Sequence, residues 1–144
     1  FYYGILWAAL NFTAGISSYR SHKTEKKYNV NNLLMNLGFF MSFSFLLVYF
    51  LPNYFGLVFI FIIYYLRGIV TPILKNQINL NTESNIRATV MSVRSFVLRI
   101  SFAIIAPILG LMADNKGISD SFLLLSILII IFSSISIFRL RKIS

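Results

Sequence analysis

Five stretches of this chain, roughly residues 1–18, 31–51, 54–74, 92–113 and 121–138, are each apolar over about the 20 residues that a helix needs to cross a bilayer. That pattern leaves few folds open. A 144-residue chain with 58% hydrophobic, 17% aromatic and only 12% charged residues, and a mean hydropathy of +0.78, cannot hide so much apolar surface in a water-soluble core. Membrane barrels show a strand period of two, whereas residues 121–138 run on as Leu, Ile, Ser and Phe. The expected fold class is all-α: a polytopic membrane bundle of about five transmembrane helices forming a single domain.

The charge confirms where the spans end. Of the 13 basic residues, Arg20, Lys23, Lys26 and Lys27 lie after the first span, Lys75, Arg87 and Arg94 around the third connection, and Arg139, Arg141 and Lys142 in the tail. The second connection, around Pro52 and Asn53, has none, and the fourth has only Lys116. By the positive-inside rule the three basic regions face the cytoplasm, so the chain starts outside and ends inside. Tyr2, Tyr3, Tyr49 and Tyr54 then fall at the outer interface and Tyr19 and Tyr28 at the inner one. A net charge of +9 spread in this way gives no single basic surface for nucleic acid.

The first span is no signal peptide, because its basic residues follow the apolar part instead of leading it. Opening at Phe1, without Met and inside an apolar span, the chain is expected to be part of a longer protein. With no cysteine there is no disulfide framework or thiolate metal site, and no cofactor is implied. One histidine, His22, no clustered acids and no Gly-rich phosphate loop leave no catalytic constellation, so the chain is expected not to be an enzyme. Glu25, Glu83, Asp114 and Asp120 are all expected in loops, outside every span.

Within the spans, polar residues are few and therefore informative. Gly4, Ala8, Asn11 and Gly15 recur at spacings of four, three and four, a narrow face on which helices approach closely. Asn11 then either bonds a neighbouring helix or lines a cavity, and Trp7 packs against helix or lipid. Arg67, just after Tyr64, lies 13 residues beyond Tyr54, roughly 20 Å along a helix. Either its long side chain snorkels to the surface or it meets an anionic group. Gly68 and Pro72 imply a bend, fixed or hinge-like, because Pro72 removes a backbone bond near Gly68.

Beyond that bend, residues 75–83 read as an Asn-rich loop, with Thr82 or Ser84 capping the next helix. That helix is expected from about residue 84 to 113, roughly 45 Å, so its first turns project from the membrane. Arg87 and Arg94, seven residues apart on one face, either anchor it at the membrane surface or grip carboxylates of a partner. Pro107 weakens it near Ala103, Gly110 permits close contact, and Asp114 ends it.

These residues also form an ordered pattern: Arg87, Ala88, Thr89 and Ser92, then Ala106, Pro107, Gly110, Ala113, Asp114 and Gly117, followed by Phe122. It resembles helix eleven and its exit loop in the major facilitator superfamily of transporters. Upstream, Arg67, Gly68, Ile69 and Pro72 with Ile78 and Asn79 resemble the end of helix ten in bacterial members. Gly15 to Lys23, including Arg20, resembles the family's cytoplasmic loop, but Tyr19 stands where the family has Asp, which removes the carboxylate of its gating latch.

The resemblance implies helices eight to twelve of a twelve-helix transporter whose two six-helix halves rock around a midplane site. The first half and helix seven would be supplied by the missing part of the same protein. Spans two and five would be peripheral, and spans one, three and four nearer the substrate path. Asn11, Tyr64 and Arg67 are the substrate-cavity candidates. Gly15, Arg20, Lys23, Gly68, Pro72, Arg87, Arg94, Pro107, Gly110, Asp114 and Gly117 are the gating or motif candidates. Ion coupling, export of a small solute and a bacterial plasma membrane are implied by the family alone. The alternative is a non-transporting scaffold or partner subunit of five packed helices.

Overall fold

The computed structural model describes residues 2–51 and 54–143, with side chains as far as Ser136. It forms five helices in succession: α1 (Tyr2–Lys27), α2 (Val30–Phe50), α3 (Tyr54–Leu80), α4 (Arg87–Lys116) and α5 (Ile118–Ile143). Four are long and apolar enough to cross a membrane, over Val30–Phe50, Tyr54–Leu80, Arg87–Lys116 and Ile118–Ser136. The first has the length but not the apolarity. Asn11, Thr13, Ser17 and Ser18 dilute its middle, and its last two turns carry Arg20, Lys23, Lys26 and Lys27.

Four helices, α1, α3, α4 and α5, outrun their apolar stretches. The basic segment after span one is therefore helical, and α1 connects to α2 through Tyr28 and Asn29 alone, where Asn29 Oδ1 accepts from the Asn31 N–H at 3.0 Å. Most of the expected loop at 75–83 is also helix, since α3 continues through Pro72 to Leu80. Neither Thr82 nor Ser84 caps α4. Thr82 Oγ1 turns back to the Ile78 carbonyl at 2.6 Å, completing the preceding helix, and α4 starts behind Ile86 with no side-chain cap.

Gly117 by itself joins α4 to α5. Its φ of +106° is left-handed territory where a Cβ is strained, and its N–H closes the last turn on the Ala113 carbonyl at 3.0 Å. Asp114 consequently sits inside the last turn of α4, Asp120 in the first turn of α5, and Glu25 in the last turns of α1. Of the four carboxylates expected in loops, only Glu83 lies in one. Asp120 gains from the positive end of its helix dipole. The loop at Pro52 and Asn53, and the side chains of Arg139, Arg141 and Lys142, lie outside the described residues.

The helices pack as a row in the order α1, α3, α2, α5, α4, with a slight touch between α3 and α4. Leu33 and Leu37 of α2 meet Leu66, Ile69 and Ile73 of α3 to form the buried core, bordered by Val30, Leu34, Met41, Tyr65 and Val70. Span two is thus the middle of the row, flanked on two sides. Lacking charge makes a helix fit for lipid, but equally fit for a core.

Small residues bring α2 and α5 together. Ser42 and Ser126, both wholly buried, each donate to the other's backbone carbonyl, at 2.8 and 3.0 Å, with their hydroxyl oxygens 3.0 Å apart. Gly38 lies against Ser133, and the rings of Phe45 and Phe122 stack with centroids 6.2 Å apart. These pairs run in opposite directions along the two helices, so α2 and α5 are antiparallel.

By contrast α1 and α3 are parallel, since Trp7 meets Tyr64 and Glu25 meets Asn76 and Gln77. The ends of α1 and α3 therefore share one end of the bundle with the start of α2 and the end of α5, which brings the basic segments together. Gly117 and Lys116 lie at the other end. Cysteines placed singly at His22 and Lys116, both exposed and free of cysteine background, should label from opposite sides of the membrane. Labelling from one side would contradict this arrangement.

Large apolar side chains point outward all round the row: Phe12 is 72% exposed, Phe55 71% and Phe102 74%. In water such a surface would aggregate, whereas in lipid it needs no cover. Helix α4 is the extreme, because none of its residues is buried.

Candidate functional site

A groove between α1 and α3 collects the polar residues of both helices. Its origin is Gly68, where a Cβ would collide with Ser17 Oγ and the Ala14 carbonyl and lie 2.9 Å from Ala14 Cα. Only a glycine lets the two backbones come this close. The Ser17 hydroxyl is satisfied locally, donating to the Ala14 carbonyl at 2.9 Å.

Beside this crossing lies a cavity of about 270 Å³ lined by Asn11, Ser18, Arg67, Thr71 and Lys75, with Ala14, Gly68 and Pro72 between them. Two of the three substrate-cavity candidates, Asn11 and Arg67, thus line one space, and the third, Tyr64, is not part of its lining but lies against Arg67. The Arg67 guanidinium sits over the Tyr64 ring, 5.6 Å from its centroid, within reach of a cation–π attraction. Tyr64 in turn meets Trp7 edge-to-face at 6.2 Å and 79°. Asn11 does not bond a neighbouring helix among the described residues; its Nδ2 donates to the Trp7 carbonyl within α1, at 2.8 Å.

Electrostatically the groove is one-sided. Arg67 and Lys75 face it, and among the described residues neither has a carboxylate within ion-pair distance. Glu25, the one acid on α1, is engaged elsewhere. Its Oε1 accepts from Asn76 Nδ2 and Gln77 Nε2, each at 2.9 Å, tying the end of α1 to the last turns of α3. This clasp has no sequence signal beyond polarity, because its partners are 51 and 52 residues away.

The small-residue face expected to pack is not the one that packs. Gly4 and Gly15 have nothing within 4 Å of an added Cβ, and Ala8 and Asn11 are exposed. Leu10, Ala14, Ser17 and Ser21 make the contact instead, with Leu10, Ser17 and Ser21 buried. Gly110 likewise has open space around it, so the close approach expected there is not made among the described residues.

The remaining motif candidates are dispersed. Arg20 and Lys23 are exposed on the last turns of α1, and Pro107 and Asp114 on α4. Arg87 folds back, its guanidinium donating to the Thr82 carbonyl at 3.3 Å, while Arg94 is half-buried about two turns further on. Gly117 forms the turn already described. Arg99 borders a hollow of about 400 Å³ with Met91, Ser92, Ser95 and Phe96, its lining among the described residues coming from α4 alone. No trio of His, Asp or Glu among the described residues is placed to hold a metal ion. Compared with protein-family models, curated proteins and solved structures, the chain matches none.

Proposed function

We propose that the chain is the carboxy-terminal, five-helix part of a secondary transporter of the major facilitator type. It helps to move a small solute by alternating access and performs no enzymatic chemistry. The observation that carries this reading is that Asn11 and Arg67 line one groove, with the Arg67 guanidinium held over the Tyr64 ring, within the apolar length of α3. A charge at that depth is costly unless protein, water or a ligand surrounds it. The groove is the substrate-facing surface in this reading, and the missing helices close it from the other side.

Helix α4 fits the same picture, since a helix without a buried residue awaits a partner, here the other part of the transporter. Arg87 and Arg94 then meet carboxylates of that partner. The C-terminus faces the cytoplasm of a bacterial plasma membrane, with ion coupling and export as the family resemblance implies. A scaffold would use α4 in the same way but would not need Arg67.

Flux through the complete protein in vesicles separates the two. Arg67→Ala should lower it at least about tenfold, the loss of one charge-assisted contact, and Arg67→Lys should retain more, with insertion unchanged in both. Full flux by the alanine variant would reduce Arg67 to a membrane anchor.

A further inference from the structure

Along α3 the groove changes character in a consistent direction. Lys75 stands at the end shared with the basic segments, Arg67 lies two turns deeper, about 12 Å along the axis, and Tyr64 with Trp7 lies deeper still. Charge is outermost and aromatic surface innermost. That gradient matches the orientation of an amphiphile lying in a leaflet.

We propose that the α1/α3 groove binds an amphiphilic anion, a single anionic head with an apolar body, admitted from the leaflet at the basic end. The head, a carboxylate or phosphate monoester or diester, sits between Arg67 and Lys75, where the guanidinium presents a planar pair of donors. Ser18 adds a hydroxyl, whereas the Thr71 hydroxyl is committed to the Arg67 carbonyl at 2.9 Å and gives the head no donor. The small floor of Ala14 and Gly68 makes room. The apolar body passes Tyr64 and Trp7, which is 62% exposed and so has a free face to offer.

Other ligand classes fit worse. Two unpaired cations repel a cationic drug-like amphiphile. An inorganic anion leaves the aromatic wall without a role, and a neutral polyol leaves the charges without one. The inference stands apart from transport, because the groove binds such a molecule whether or not the protein moves it.

Trp7, the only tryptophan of this chain, is a built-in reporter. The protein is placed in nanodiscs of phosphatidylcholine, and Trp7 quenching is titrated with acyl-brominated phosphatidylcholine, acyl-brominated phosphatidylglycerol or a brominated long-chain fatty acid. An anionic quencher should act at a mole fraction well below that of the zwitterionic one, by about fivefold for each cation engaged. Lys75→Ala, an exposed change that the helix tolerates, should remove about fivefold of that preference, and Arg67→Ala with Lys75→Ala should abolish it. Lys116→Ala, at the other end of the bundle, should leave it intact.

Preference for phosphatidylglycerol alone identifies a lipid headgroup as the anion, and preference for the fatty acid alone identifies a free carboxylate; either supports the site. Equal quenching by all three, or a preference that survives loss of both cations, overturns it. Absence of any flux through the unmodified complete protein, with the anion preference intact, would defeat the transport reading and leave this one standing.

Discussion

Gly68→Leu should destabilise the bundle by about 3 kcal/mol, the upper range for overpacking a tight contact, and should detach α1. The added atoms have nowhere to go. Ser17 Oγ can rotate away, but the Ala14 carbonyl and Cα belong to the backbone of α1, and a Cβ on Gly68 already meets both. Alanine alone should therefore be harmful. Gly15→Ala is the matched control, since nothing lies within 4 Å of its Cβ. It should be neutral or stabilising by up to about 1 kcal/mol, because glycine is a poor interior helix residue.

Reversible unfolding in mixed micelles measures the difference, and Trp7 emission reports whether Tyr64 is still beside it. Equal damage from the two substitutions would place the α1 contact on the wrong face. A further consequence is local: α1 touches only α3 appreciably, so the α2/α3 core of Leu33, Leu37, Leu66, Ile69 and Ile73 should survive its release.

The same comparison explains which parts of the fold were readable in sequence. Four of the five helices follow from apolar length, α1 having the length without the apolarity, and the basic residues mark one end of the bundle. Packing faces do not. Gly4, Ala8, Asn11 and Gly15 recur at four, three and four, and so do Leu10, Ala14, Ser17 and Ser21. Period alone cannot choose between them, and the second set wins because Gly68 of α3 fits against Ala14 and Ser17.

Helix ends are hidden from the sequence for a related reason. Apolarity marks where lipid ends, not where hydrogen bonding ends, so Arg20 to Lys27 and Lys75 to Leu80 continue as helix in polar surroundings. At the groove, Arg67, Tyr64 and Asn11 were legible because charge and amide are rare inside spans. Ser18, Thr71 and Lys75 were not, since each is ordinary at its position until α1 is laid beside α3.

Ser42→Leu should have a comparable effect on a different part of the molecule, loosening α5 by about 3 kcal/mol through overpacking. Ser42 and Ser126 are fully buried and each hydroxyl already bonds the opposite backbone, so a leucine breaks the pair and is overpacked except for the part that turns into the neighbouring cavity of about 480 Å³, which both serines line. Polarity is the smaller part of this. Ser42→Ala leaves Ser126 Oγ donating to the residue 42 carbonyl, and such bonds between membrane helices average about 0.6 kcal/mol with a maximum near 1.7. The alanine cycle at the two positions should thus show a coupling of that size, while leucine forces the helices apart and unstacks Phe45 from Phe122. Because α4 packs mainly against α5, the two should loosen together, joined by Gly117, while α1 and α3 keep their contact. Amide hydrogen exchange in micelles reads this directly: protection should fall across α4 and α5 and persist in α1 and α3. If α4 keeps its protection while α5 loses it, something other than α5 holds α4, and the row of five helices is the wrong description of how this chain packs.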